Sequence, residues 1–107
     1  PWMQWNIDPY FQNPPDGVIL MPANTLNISA PVVTPDQLPA GALADWQRTR
    51  LPGDLRAAGV DYLLVDHGWW SGLTEAERAI LSDPANYELV REWRVYYVFL
   101  RLYRALE

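Results

Sequence analysis

The stretch Leu55-Arg56-Ala57-Ala58-Gly59-Val60-Asp61-Tyr62-Leu63-Leu64-Val65-Asp66-His67-Gly68-Trp69-Trp70 decides the fold. Its opening residues suit a short helix, Leu55 to Ala58, with Asp54 as the cap and Gly59 as the residue that ends it. Glycine takes the left-handed conformation at a helix end without steric cost. Val60 to Asp66 is then apolar almost throughout. Continuous rather than alternating apolarity predicts a strand buried on both faces. Gly68 and the Trp69-Trp70-Ser71-Gly72 run read as a loop at the strand's carboxyl end. Helix, glycine, buried strand and polar loop together make half of an α/β unit.

Working toward the N-terminus, Gly17-Val18-Ile19-Leu20-Met21 is a second short apolar run, set between the turn signals Asp16-Gly17 and Pro22. It predicts a second central strand, Val18 to Met21, beside Val60 to Val65. Between residues 24 and 52 the chain is punctuated by Pro31, Pro35 and Pro39, with a β-like piece from Ile28 to Val33. Ala40 to Arg48 predicts two turns of helix carrying Trp46, and this third of the chain is the natural home of a variable loop. Residues 1–16 hold Trp2, Trp5, Tyr10 and Phe11 among prolines and amides. Prolines deny that stretch a regular ladder, so it reads as an irregular arm whose aromatics dock on a domain spanning residues 17–107.

Toward the C-terminus, Thr74-x-x-Glu77 is a capping box opening a helix to about Leu81, which Ser82-Asp83-Pro84 stops. Tyr87 to Val90 and Arg94 to Tyr103 are rich in β-branched and aromatic residues and predict a terminal hairpin with Glu92-Trp93 between its strands. A helix competes there, since Val95, Val98, Phe99 and Leu102 recur at helical spacing. The expected architecture is one small α/β domain: a mixed four- to five-stranded sheet with flanking helices and a C-terminal β-hairpin. Its core is expected to include Ile19, Leu20, Leu55, Tyr62, Leu64, Leu89, Val95 and Tyr97.

Composition narrows the function classes. With 107 residues the chain has room for one domain, and half of them are apolar. Without cysteine there is no disulfide, thiolate metal site or thiol nucleophile. A net charge of −5 argues against nucleic acid as a partner. All the basic residues are arginine, so lysine Schiff-base and P-loop chemistry are out. One histidine limits any zinc site to a single imidazole; no metal site and no cofactor is expected. No apolar run approaches the roughly 18–20 residues that span a bilayer, and no signal peptide is visible. The opening at Pro1 suggests processing or a domain of a longer protein. The sequon Asn27-Ile28-Ser29 would be idle in a chain whose lysine-free composition looks bacterial.

Asp66, His67, Trp69 and Trp70 are the candidate ligand-binding residues. A carboxylate and an imidazole beside two indoles suit a carbohydrate, the acid for hydroxyls and the indoles for the apolar face of the sugar. The same residues have a structural reading, with Asp66 capping backbone N–H groups and the tryptophans covering the end of the sheet. Asp61 and Asp66 point to opposite faces of one strand about 17 Å apart at 3.3 Å per residue. That is too far for a glycosidase pair, which needs roughly 5 to 10 Å. Glu75 and Glu77 are expected to serve the helix N-terminus. Ser71 lies outside any nucleophile elbow. Arg91, Arg94, Arg101 and Arg104 form either a face for lipid phosphates or a solvated hairpin face paired with Glu88 and Glu92.

Leu55 to Asp66, the closing Tyr87-Glu88-Leu89-Val90-Arg91 and Val95-Tyr96-Tyr97-Val98-Phe99, and the strand Gly17 to Met21 resemble the C-terminal extracytoplasmic domain of bacterial GT-C (protein-mannosyltransferase-like) membrane glycosyltransferases. In that family the catalytic carboxylate lies in a loop between the first transmembrane helices. The resemblance therefore implies a fragment that is not catalytic alone. It would shape access of a sugar acceptor or a polyprenyl-phosphate sugar on the extracytoplasmic face of the plasma membrane. Its partner would be the transmembrane portion of the same polypeptide. Val60 to Trp70 is also similar to a strand and loop of barrel glycosidases related to α-galactosidases, although a barrel needs about 200 residues or more. The alternative is an accessory subunit or interaction domain of a larger assembly, with Trp2, Trp5, Tyr10 and Phe11 lying on a partner. A free-standing hydrolase using Asp66 and His67 stands third.

Overall fold

The computed structural model of the chain describes residues 10–23 and 31–106. Among the described residues the helices and strands follow in the order β1 (Ile19–Leu20), α1 (Ala44–Thr49), α2 (Pro52–Ala57), β2 (Tyr62–Asp66), α3 (His67–Ser71), α4 (Glu75–Ser82), β3 (Tyr87–Val95) and β4 (Val98–Ala105). Single 3-10 turns occupy Tyr10–Gln12 and Pro35–Gln37. The strands make one mixed sheet in the order β1-β2-β4-β3. β1 runs parallel to β2, whereas β2–β4 and β4–β3 are antiparallel. The chain is thus a small α/β domain with a mixed four-stranded sheet, short helices and a C-terminal hairpin.

Apolar residues on neighbouring positions of the interior strands fall on opposite faces, so the sheet is covered twice. Leu63, Val65, Tyr103 and Ala105 join Leu43, Trp46, Leu55, Leu73 and Leu81 in one buried cluster. Ile19, Met21, Leu64, Leu100 and Leu102 join Phe11 in the other. That second cluster seats the N-terminal aromatics Tyr10 and Phe11. Phe11 is buried and stacks on Trp93 at 6.2 Å, and Tyr10 meets the same indole edge-on at 5.5 Å. Trp2, Trp5 and the sequon lie outside the described residues.

Four expectations need correcting. β1 ends the strand order, although its outer side is not bare: the Met21 amide donates to the Val33 carbonyl (2.9 Å) and the Val33 amide to Ile19 (2.8 Å). α2 begins at Pro52 after the cap Leu51, so Asp54 sits in the first turn rather than at the cap. Proline suits that first position because the N–H it lacks has no partner there anyway. Gly59 does follow the helix with φ +86°.

The third correction is the hairpin. Its strands meet at Val95↔Val98, so the turn is Tyr96-Tyr97 and not Glu92-Trp93, which lie within β3. Aromatic and β-branched content favours a pleat but does not locate a turn, and Tyr96 takes a positive φ (56°) with neither glycine nor asparagine to signal it. The fourth follows from the third. Ile19, Leu20, Leu55 and Leu64 are buried and Tyr62 half-buried, but Leu89, Val95 and Tyr97 are exposed (49%, 39% and 78%) because β3 is an edge strand and Tyr97 its tip.

Candidate functional site

At the carboxyl end of β2 the chain turns directly into a helix. His67–Ser71 is α3, where a loop was expected. Asp66 is its N-cap: the carboxylate accepts the Trp69 amide at 2.8 Å, satisfying a donor that the first turn leaves without an intrahelical partner. Asp66 as a whole is only 7% exposed. Asp66 thus caps backbone N–H groups as its structural reading expects, but those groups open a helix rather than a loop.

The remaining three candidates are half-buried. His67 sets its ring edge-on against Phe99 at 5.1 Å, and its buried Nδ1 has no hydrogen-bond partner among the described residues. Trp69 stacks on Trp46 (6.1 Å, 11° between planes), and the Arg50 guanidinium lies over both rings at 4.6 Å and 5.4 Å. Trp70 stacks on Tyr103 (6.1 Å, 12°), with Arg101 over its face at 5.0 Å and over Phe99 at 3.9 Å. Both indole faces thus already carry an aromatic ring and a cation, a favourable combination for charge and quadrupole.

The supporting residues were not legible locally. Trp46, on α1, donates from Nε1 to the Tyr87 hydroxyl (3.0 Å), which donates to the Arg50 carbonyl (2.7 Å). Arg50 ends α1 in the left-handed conformation, φ 60°, and holds Glu77 at 2.8 Å. Nothing in sequence spacing brings residues 46, 50, 69, 77 and 87 together; the sheet does. Glu77 completes the expected capping box with Thr74. The Thr74 amide, with Arg50, holds its carboxyl below the usual glutamate range.

Other sequence candidates resolve into structure. Ser71 Oγ donates to the His67 carbonyl (2.9 Å) within its own helix. The Asp61 carboxylate accepts the Val18 amide (2.9 Å), which ties β1 to β2. Arg101 pairs with Glu92 at 2.6 Å and Arg104 with Glu88 at 2.7 Å across the hairpin, while Arg94 meets Glu92 at 3.2 Å. Arg91 instead lies over the rings of Tyr10 and Trp93. Arg101 in turn holds the Glu92 carboxyl low. Among the described residues no three acidic or imidazole groups gather as for a metal ion, and no helix is long and apolar enough to cross a membrane. Comparison of the chain with protein-family models, curated proteins and solved structures finds no match.

Two expected outcomes follow from this corner. Asp66→Ala removes the cap and is expected to lower stability by about 0.5–2 kcal/mol, while Asp66→Asn, an equally good cap, stays close to wild type in urea unfolding. The second concerns alkali. Burial pushes the Tyr87 hydroxyl up to about 12 from an ordinary value of 10.0. The unfolded chain then deprotonates first, so this contribution is whole below pH 10 and fades between pH 10 and 12. The loss should reach about 2–3 kcal/mol, with Tyr87 among the last tyrosinates to appear at 295 nm. For Glu77 and Glu92 the sign is opposite: their folded values are depressed, so their contribution is present above the ordinary glutamate value and is lost on acidification.

Proposed function

We propose that this chain is the non-catalytic, extracytoplasmic domain of a membrane-embedded glycosyltransferase, shaping access of the sugar acceptor or the lipid-linked donor. One observation supports this reading above the rest. The three separate stretches that carry the resemblance, Gly17 to Met21, Leu55 to Asp66 and the closing hairpin, assemble as the strands of one sheet with α2 leading into β2. The capping role of Asp66 suits a fragment whose catalytic carboxylate lies elsewhere in the polypeptide. Sugar contact would fall to the half-buried His67, Trp69 and Trp70. The partners would be the transmembrane portion of the same protein and a sugar or polyprenyl-phosphate sugar.

Expression of the complete reading frame tests this. Its product should partition into membranes and transfer sugar from a polyprenyl-phosphate donor. Deleting residues 17–107 should impair use of the acceptor or donor while leaving the membrane-embedded catalytic carboxylate in place. A complete reading frame without hydrophobic spans, giving a product that stays out of membranes, would overturn the proposal and leave the accessory-subunit reading.

A further inference from the structure

Five of the seven exposed large apolar side chains among the described residues lie on one strand and its turn. Leu89, Val90 and Val95 lie on β3, and Tyr96 and Tyr97 form its tip at 88% and 78% exposure. Among the described residues β3 is also an open edge of the sheet, since β4 covers only one side of it, whereas the far edge, β1, is hydrogen-bonded to Val33. A two-residue turn makes Val95↔Val98 a hydrogen-bonded pair, and such pairs alternate along an antiparallel ladder. The backbone groups of Arg91, Trp93 and Val95 therefore face β4. Those of Glu92 and Arg94 face outward, ready for another strand.

We propose that a second copy of this chain pairs here, β3 antiparallel to β3, about a twofold axis through Trp93. Three features of the strand single out a second copy as its occupant. In that register Glu92 of one copy, already paired with Arg101 and Arg94 of its own chain, stands opposite Arg94 of the other on both sides of the axis, so the four side chains form one cluster of alternating charge, and these are the residues with outward-facing backbone. Opposite charges directly across strands stabilise a pair, and a twofold interface requires such self-complementarity. The same register carries the Tyr96-Tyr97 tip of each copy to the Leu89-Val90 stretch of the other, so one arrangement covers all the apolar residues exposed on this edge. The register shift between Leu89 and Arg91 limits the regular pairing to Arg91 through Val95. A bulge there and the closed symmetry give a dimer rather than a growing ribbon. The proposal stands on the edge itself and is independent of the function proposed above.

Sedimentation equilibrium tests it. The wild-type chain should move from a mass of 12.3 kDa toward twice that value as concentration rises from about 10 μM to about 1 mM. Arg94→Glu sets four carboxylates against one another at the axis and Glu92→Arg sets four guanidinium groups; each alone should weaken association at least tenfold. Mixed one to one, the two variants should form a heterodimer, because every cross-strand pair is then opposite in charge. Tyr96→Gly combined with Tyr97→Ser guards against misfolding. Glycine removes the positive-φ strain at position 96, so this variant should fold at least as well as wild type by far-UV circular dichroism and yet dimerise at least tenfold more weakly. A wild-type mass that stays at 12.3 kDa throughout overturns the proposal, as does a folded tip variant that dimerises like wild type. So does a mixture of folded charge variants that forms no heterodimer.

Discussion

Trp46→Ala is expected to take away most of the domain's stability. The side chain is 1% exposed, and its indole is the plate on which α1, α3 and β3 meet. Trp69 stacks on one part of it, Arg50 lies over the ring, and Nε1 donates to Tyr87. Removing a buried tryptophan costs about 3–5 kcal/mol in lost transfer energy and residual cavity. Against a total stability of about 5–15 kcal/mol, a domain of this size sits near the lower limit. Urea unfolding followed by circular dichroism measures the loss. Tyr87→Phe separates the ring from its polar relay. It leaves the Trp46 N–H and the Arg50 carbonyl without their hydroxyl, for an expected loss of about 1–3 kcal/mol.

The second large effect is expected at Gly17, where the backbone has φ +127° and an added Cβ would lie 2.7 Å from Asp61 Oδ2 and 2.9 Å from Asp61 Cβ. Both conditions fall on the joint that starts the sheet. Val18 donates to the Asp61 carboxylate while its carbonyl accepts from the amides of Asp61 and Tyr62. Gly17→Ala must therefore strain the backbone and push Asp61 off its partner, for a combined cost of about 2–4 kcal/mol. Gly53→Ala is the contrast. It lies in α2 with nothing within 4 Å of an added Cβ, and its φ is not in the left-handed region. There alanine's helix preference should leave stability unchanged or raise it by up to about 1 kcal/mol. The difference between the two variants, read by urea midpoint, checks the claim that Gly17 is held by geometry rather than composition.

The sequence showed its elements where one local rule acted alone. Thr74 and Glu77 announce α4 because a capping box is complete within four residues, and Val60 to Asp66 announces β2 because nothing but burial explains so continuous an apolar run. Where two rules competed, the louder one misled. Asp66 signals a helix start, but Gly68, Gly72 and two tryptophans read as a loop, and α3 is the result the aromatics themselves stabilise by stacking on Trp46 and Tyr103. At Tyr96 and Tyr97 strand propensity hid a turn that carries no glycine. The aromatic and arginine partners of the corner come from four elements or their ends, and only the closed sheet makes them neighbours.

At the junction between β2 and α3 the Asp66 carboxylate caps a helix. Amide hydrogen exchange of Trp69 reads that junction directly. With its N–H held by Asp66 at 2.8 Å, Trp69 should exchange far more slowly than an open chain, and Asp66→Ala should release it while Asp66→Asn keeps it protected. An amide that exchanges at the open-chain rate in the wild-type protein would mean a loose loop with its carboxylate available to ligands, and would contradict the account.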